Sequence, residues 1–114
     1  MHREIIKTIE REPWTELDAF HQVMAQTFHP AEMGNLEPIR ARSDEMLGKA
    51  IILQNGSIPP SFNNAGIIKS IGSLVTGSRK LNHFIRINAE DETIFKHLNS
   101  LHDTFHTIKG LCRH

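Results

Sequence analysis

The chain has 114 residues, with 13 basic and 13 acidic side chains, a single cysteine and eight histidines. Its length suits one domain, spanning residues 1–114, with a hydrophobic core of its own. The balanced charge argues against a broad attraction to nucleic acid or to an anionic membrane. No apolar run approaches the about 20 residues of a membrane span, and one cysteine cannot form an internal disulfide.

The first predicted helix follows a charged segment and ends before a proline. Residues 2–12 carry three isoleucines among charged side chains, which predicts a short helical lead-in. Apolar residues spaced by three and four then predict a helix to about Phe28. His29-Pro30 is expected to end it, because the residue before a proline is disfavoured in the α region. The expected inward face is Trp14, Leu17, His21, Met24 and Phe28. This face places a histidine, His21, within an apolar stripe.

The longest loop separates the second and third predicted helices. The second helix is expected from Pro38 to Asn55 and the third from about Ala65 to Asn88. Phe62, in the loop between them, is expected to close one end of the core. The inward face of the second helix is Ile39, Ser43, Met46, Leu47, Ala50 and Leu53. That of the third is Ile68, Ile71, Val75, Ser78 or Leu81, and Ile85. Three glycines in the third helix, Gly66, Gly72 and Gly77, are expected to permit close approach of a neighbour.

The last predicted helix runs from Asp91, which can cap it, to Cys112. Its apolar stripe is Ile94, Leu98, Leu101, Phe105, Ile108 and Cys112. Cys112 continues this stripe and is expected to be a buried thiol. Since no segment shows the alternation of a strand, the chain is expected to be all-α, an antiparallel up-down four-helix bundle.

The histidines predict a site between the first and last helices. His102 and His106 lie one helical turn apart, so both imidazoles can reach one ion. His21 can approach from the first helix, His29 lies two turns further along it, and Met24 offers a soft thioether. Imidazole ligands suit zinc, copper, nickel or iron. The leading hypothesis is therefore a small metal-binding protein of sensing, buffering or carrier type. Its alternative is a ligand-free helical interaction domain, in which these histidines belong to the core and its edge.

A second pattern overlaps this site. His106-Thr107-Ile108-Lys109-Gly110 resembles the His-x-x-Lys-Gly signature of histidine phosphotransfer domains, which are also helical bundles. The resemblance implies a phosphoryl-accepting His106 supported by Lys109 and Gly110. In that family a further hairpin follows the motif, whereas four residues follow it here.

The architecture also resembles a haem family. Four helices, the loop Ile58-Pro-Pro-Ser-Phe62 and a terminal Gly110-Leu111-Cys112 resemble cytochromes c-prime. Those proteins attach haem through Cys-x-x-Cys-His, of which this chain has one cysteine. The related cytochromes b562 hold haem between a methionine and a histidine. That resemblance implies Met24 with His102 or His106 as a haem pair.

The sequence says less about catalytic activity, cellular location and oligomeric state than about the fold. Zinc proteases carry a catalytic glutamate after the first histidine of their motif, and this chain has Asp103 there, in His102-Asp103-Thr104-Phe105-His106. An aspartate side chain is shorter and reaches the metal-bound water less well. An enzyme is therefore less favoured than a binding protein. The N-terminal segment lacks an apolar signal region, which predicts a cytoplasmic protein if Met1 is the native start and a periplasmic one if a leader was removed. The sequence leaves monomer and homodimer open.

Overall fold

The computed structural model describes the backbone from residue 14 to 111 and the side chains from 14 to 108. Four helices occupy this range: α1 (Thr15–Glu32), α2 (Glu37–Asn55), α3 (Ala65–Arg86) and α4 (Asp91–Leu111). A single 3-10 turn, Pro60–Phe62, lies between α2 and α3, and the described part of the chain contains no strand. The predicted all-α four-helix bundle is confirmed. The predicted helical lead-in at 2–12 and the thiol of Cys112 lie outside the described residues.

Each helix packs on the next along the chain, and α1 closes the bundle against α4. The contact between α1 and α4 is the least extensive of the four adjacent pairs. The apolar stripe of α4 is buried as predicted, with Ile94, Leu98, Leu101, Phe105 and Ile108 all at most 2% exposed. Buried apolar side chains therefore fill the inner part of the seam between α1 and α4. Because the two helices make few close contacts, a depression remains at the surface of the seam.

The prediction of the inward-facing residue is wrong by one position at two places in the chain. His21 is exposed, and its neighbour Phe20 is completely buried. Ile68 is 53% exposed, whereas Ile67 is completely buried. Successive helical residues are rotated by about 100°, so two neighbours at the edge of an apolar face can differ sharply in burial. In each pair the buried residue lies nearer the centre of its apolar face. His21 is consequently a surface residue and no core histidine.

The first helix also continues through Pro30, which was expected to end it. A proline in the last turn removes a single backbone donor, and Ala31 beyond it is buried in the core. The helix ends where Gly34 adopts a left-handed φ of 91°. Its N–H donates to Ala31, and the next N–H, of Asn35, donates to Pro30 at 2.9 Å. This paired arrangement closes the helix by the Schellman pattern.

Both ends of the bundle are fixed by identifiable contacts. Phe62 stacks on Trp14 with ring centroids 5.4 Å apart, which confirms its expected place at one end of the core. At the other end Arg40 of α2 donates to the α3–α4 corner. It reaches the carbonyl of Ala89 at 3.2 Å and the carboxylate of Asp91 at 2.6 Å. These contacts hold the start of α4 against α2.

Candidate metal site

The histidine pair of α4 is in direct contact. The Nε2 atoms of His102 and His106 lie 3.1 Å apart, and their ring centroids lie 4.3 Å apart with the rings nearly perpendicular. The contact follows from the helix itself, since residues four apart stack one turn above each other. When both imidazoles are neutral, one Nε2–H donates to the other Nε2. The two ring nitrogens thus face each other.

This pair borders a depression in the seam between α1 and α4, with a volume of about 150 Å³. The lining residues come from both helices and include all five that the sequence predicted for the site. They are His21, Met24, Ala25, Phe28, His29, His102, Phe105 and His106. The α1 residues are spaced by three and four, which brings them to one edge of that helix.

His102 is held by an aromatic ring of α1. Its imidazole lies flat on Phe28, with centroids 3.7 Å apart and an interplanar angle of 4°. Burial lowers the pKa of His102, and the nearby His106 lowers it further, while Asp103 and Glu32 act weakly in the opposite direction. The environment therefore favours neutral His102, the form that coordinates a metal.

The α1 histidines lie at the rim. The ring of His21 stacks on Phe105 with centroids 5.0 Å apart. His29 places its Nδ1 3.6 Å from the Glu32 carboxylate, and both side chains are largely exposed. Among the described side chains, no three His, Cys, Asp or Glu residues are already arranged around one point as metal ligands. His102 and His106 are in contact with each other, and His21 and His29 line the same depression.

Met24 lines the same depression and is only 1% exposed. Met24 therefore lies on the core side of the depression. A volume of about 150 Å³ falls below the roughly 300–1,000 Å³ of pockets that hold cofactor-sized ligands. The dimensions favour an ion over a haem group.

The sequence did not indicate the aromatic supports of the site. Phe28 and Phe105 both belong to predicted core stripes, and each lends one ring face to a histidine. Their spacing next to histidines is visible in the sequence. Which imidazole stacks on which ring depends on how α1 and α4 approach each other, and periodicity does not specify that.

Of the residues that the phosphotransfer resemblance implies, only the side chain of His106 lies within the described range. His106 is exposed, and α4 continues as helix through Leu111. The Nε2 of His106 contacts His102, so phosphorylation at that atom would replace this contact. The side chains of Lys109 and Gly110 lie beyond the described side chains.

The sequence matches no profile of a known protein family, and neither curated proteins nor solved structures give a match. Within residues 14–111, no helix is long and apolar enough to cross a membrane. The function is therefore argued from the geometry of the site.

Proposed function

We propose that this protein binds a first-row transition-metal ion at the α1–α4 seam, with His102 and His106 as the primary ligands. The main support for this proposal is the distance between their Nε2 atoms. Metal–nitrogen bonds of about 2.0–2.1 Å place two adjacent ligand nitrogens about 2.9 Å apart in a square-planar site and about 3.3 Å apart in a tetrahedral one. The observed 3.1 Å lies between these values. An ion bound by both nitrogens would lie off the line between them, so each ring would tilt toward it while the nitrogens keep about their present separation.

The remaining ligands would come from α1. His21 and His29 border the same depression and are exposed, so rotation about their side-chain bonds can bring a third or fourth nitrogen to the ion. Met24, on the core side of the depression, adds a thioether, which favours soft ions such as copper(I). Zinc, copper, nickel and iron all accept imidazole ligands. A reversible surface site of this kind suits sensing, buffering or carriage of the ion.

Metal titration of the purified chain tests the proposal. Isothermal titration calorimetry with zinc, copper and nickel is expected to show about one ion per chain, with a rise in melting temperature. The double variant His102→Ala/His106→Ala should lose both effects. The matched control is His83→Ala/His97→Ala, which also removes two histidines but around Phe84, outside the seam depression. Absence of binding, or equal loss in both double variants, would reject the site.

The exposed ring of His106 supports a second proposal, phosphotransfer. It predicts that a response regulator charged by acetyl phosphate transfers its phosphoryl group from aspartate to His106. The acid-labile product should be absent in His106→Gln and present in His102→Gln. Metal binding predicts that both variants lose affinity. A ligand-free interaction domain predicts neither effect, so the pair of variants separates the three readings.

A further inference from the structure

A second concave surface lies on the opposite side of α4, in the valley between α3 and α4. It is an open depression of about 650 Å³, bordered at one end by Gln54 of α2. The α3 side carries Lys69, Gly72, Ser73, Thr76, Gly77 and Lys80, and the α4 side carries His97, Ser100, Leu101 and Thr104. The lining contains two lysines, a histidine and four hydroxyl side chains, and no carboxylate. We call this surface the α3–α4 groove.

The positive charge of the groove is a property of α3 as a whole. The chain balances 13 basic with 13 acidic residues, but the 22 residues of α3 include Lys and Arg and no Asp or Glu. Arginines pair with carboxylates, for example Arg42 of α2 with Glu45, and Arg86 at the end of α3 with Asp44. Lys69 and Lys80 form no ion pair with any described side chain. The groove therefore carries two lysine charges with no carboxylate in its lining.

The hydroxyls of the groove divide into two kinds. Ser73 and Thr104 donate to backbone carbonyls of their own helices. Thr76 and Ser100 hydrogen-bond to no described protein group, so their O–H groups are available to a ligand. Gly72 leaves the floor open, because a Cβ built there would meet nothing within 4 Å. Donors and positive charges therefore line a space that α3 leaves unfilled.

We propose that the α3–α4 groove binds a small polyanion with phosphate groups. Lys69 and Lys80 are eleven residues apart, which places them about 16 Å apart along the helix axis. Lysine acts as a point charge toward phosphate, and hydroxyl donors between the two lysines bind the remaining oxygens. The flexible side chains of both lysines can converge on the space between them, so that both reach the phosphate groups of one short polyphosphate. The volume lies within the range of small-molecule sites, about 300–1,000 Å³.

An NMR titration of the full chain with tripolyphosphate, at constant ionic strength, tests the proposal. Saturable shifts are expected at the backbone amides of Gly72, Thr76 and Ser100. Lys69→Gln/Lys80→Gln should raise the dissociation constant by about tenfold or more. The matched control, Lys49→Gln/Lys96→Gln, removes the same charge outside the groove and should change it by less than about threefold.

A steric variant separates the groove from general charge. Gly72→Leu keeps every lysine and favours helix, but its side chain extends into the groove, so it should weaken binding about as much as the double lysine variant. Equal weakening by both lysine pairs, shifts spread over all basic residues, or unchanged affinity in Gly72→Leu would overturn the proposal. Metal binding at the α1–α4 seam is unaffected by any of these outcomes.

Discussion

The imidazole of His102 lies parallel to the ring of Phe28, 3.7 Å away between centroids. This contact joins the last helix to the first at the seam where the bundle is least extensively packed. It fixes the plane of the His102 ring, so that Nε2 points along the helix toward His106. Phe28 is therefore the group that orients His102 within the histidine pair proposed to bind an ion.

Replacing Phe28 should weaken both the bundle and the site. Phe28→Leu is expected to lower the free energy of unfolding by about 1–2 kcal/mol, from lost ring contact and incomplete filling of the core. Metal affinity should fall by about tenfold, because the first ligand loses its support. Chemical denaturation and calorimetric titration measure the two effects. Phe84→Leu is the control, since Phe84 stacks on His97 with centroids 4.5 Å apart and should leave metal affinity unchanged.

The stability of the metal-free chain should depend on the protonation of His102. Burial lowers its folded pKa below the ordinary value of 6.5. As pH falls below about 6.5, the unfolded chain therefore takes up this proton before the folded chain does. Stability is highest above that pH and is lost as pH falls through the folded pKa. Urea denaturation from pH 8 to 5 should show this loss, and His102→Gln should reduce it. A His102→Gln profile as steep as that of the unaltered chain would contradict the prediction.

Three glycines should respond differently to alanine. Gly48 and Gly72 lie within helices, and a Cβ at either position would meet nothing within 4 Å. Gly48→Ala and Gly72→Ala should each stabilise the chain by about 0.5–1 kcal/mol. A Cβ at Gly77 would lie 3.0 Å from Leu101 Cδ1 in the core, so Gly77→Ala should gain less or destabilise. Thermal melting ranks the three, and a gain at Gly77 equal to that at Gly72 would be inconsistent with the close helix contact.

A buried polar contact between α2 and α3 offers a double-mutant cycle. The Ser43 hydroxyl donates to Asn82 Oδ1 at 2.8 Å. Ser43→Ala and Asn82→Ala should each cost about 1–3 kcal/mol, with the double variant costing less than their sum. Ser78 lies one turn from Asn82, and its buried hydroxyl contacts no described partner. Ser78→Ala should accordingly be neutral or stabilising in the same denaturation assay. Additive losses at Ser43 and Asn82 would show that the two groups act independently.

Periodicity predicted the helices and most of the core, but it misplaced one inward residue in α1 and one in α3. The stripe of α4 follows from its spacing alone, because large apolar residues recur there without interruption. In α1 both Phe20 and His21 fit a spacing of three or four from Leu17. In the folded chain Phe20 is the one that is buried, because it packs against α4. The predicted site residues do border one depression. Their support by Phe28 depends on the distance between helices, which sequence spacing does not contain. Metal binding itself stays a prediction.

The limited contact between α1 and α4 also bears on the order of folding. The other adjacent pairs join helices that follow each other in sequence, whereas this seam brings together the two ends of the described chain. Contacts between distant segments carry the larger loop-closure cost, so α1 is expected to dock on α4 after the other pairs have formed. A ligand across this seam would then stabilise the folded state more than the transition state. Stopped-flow measurements with zinc should show slower unfolding and an almost unchanged refolding rate. Metal binding would therefore set the lifetime of the folded chain rather than the speed of its formation.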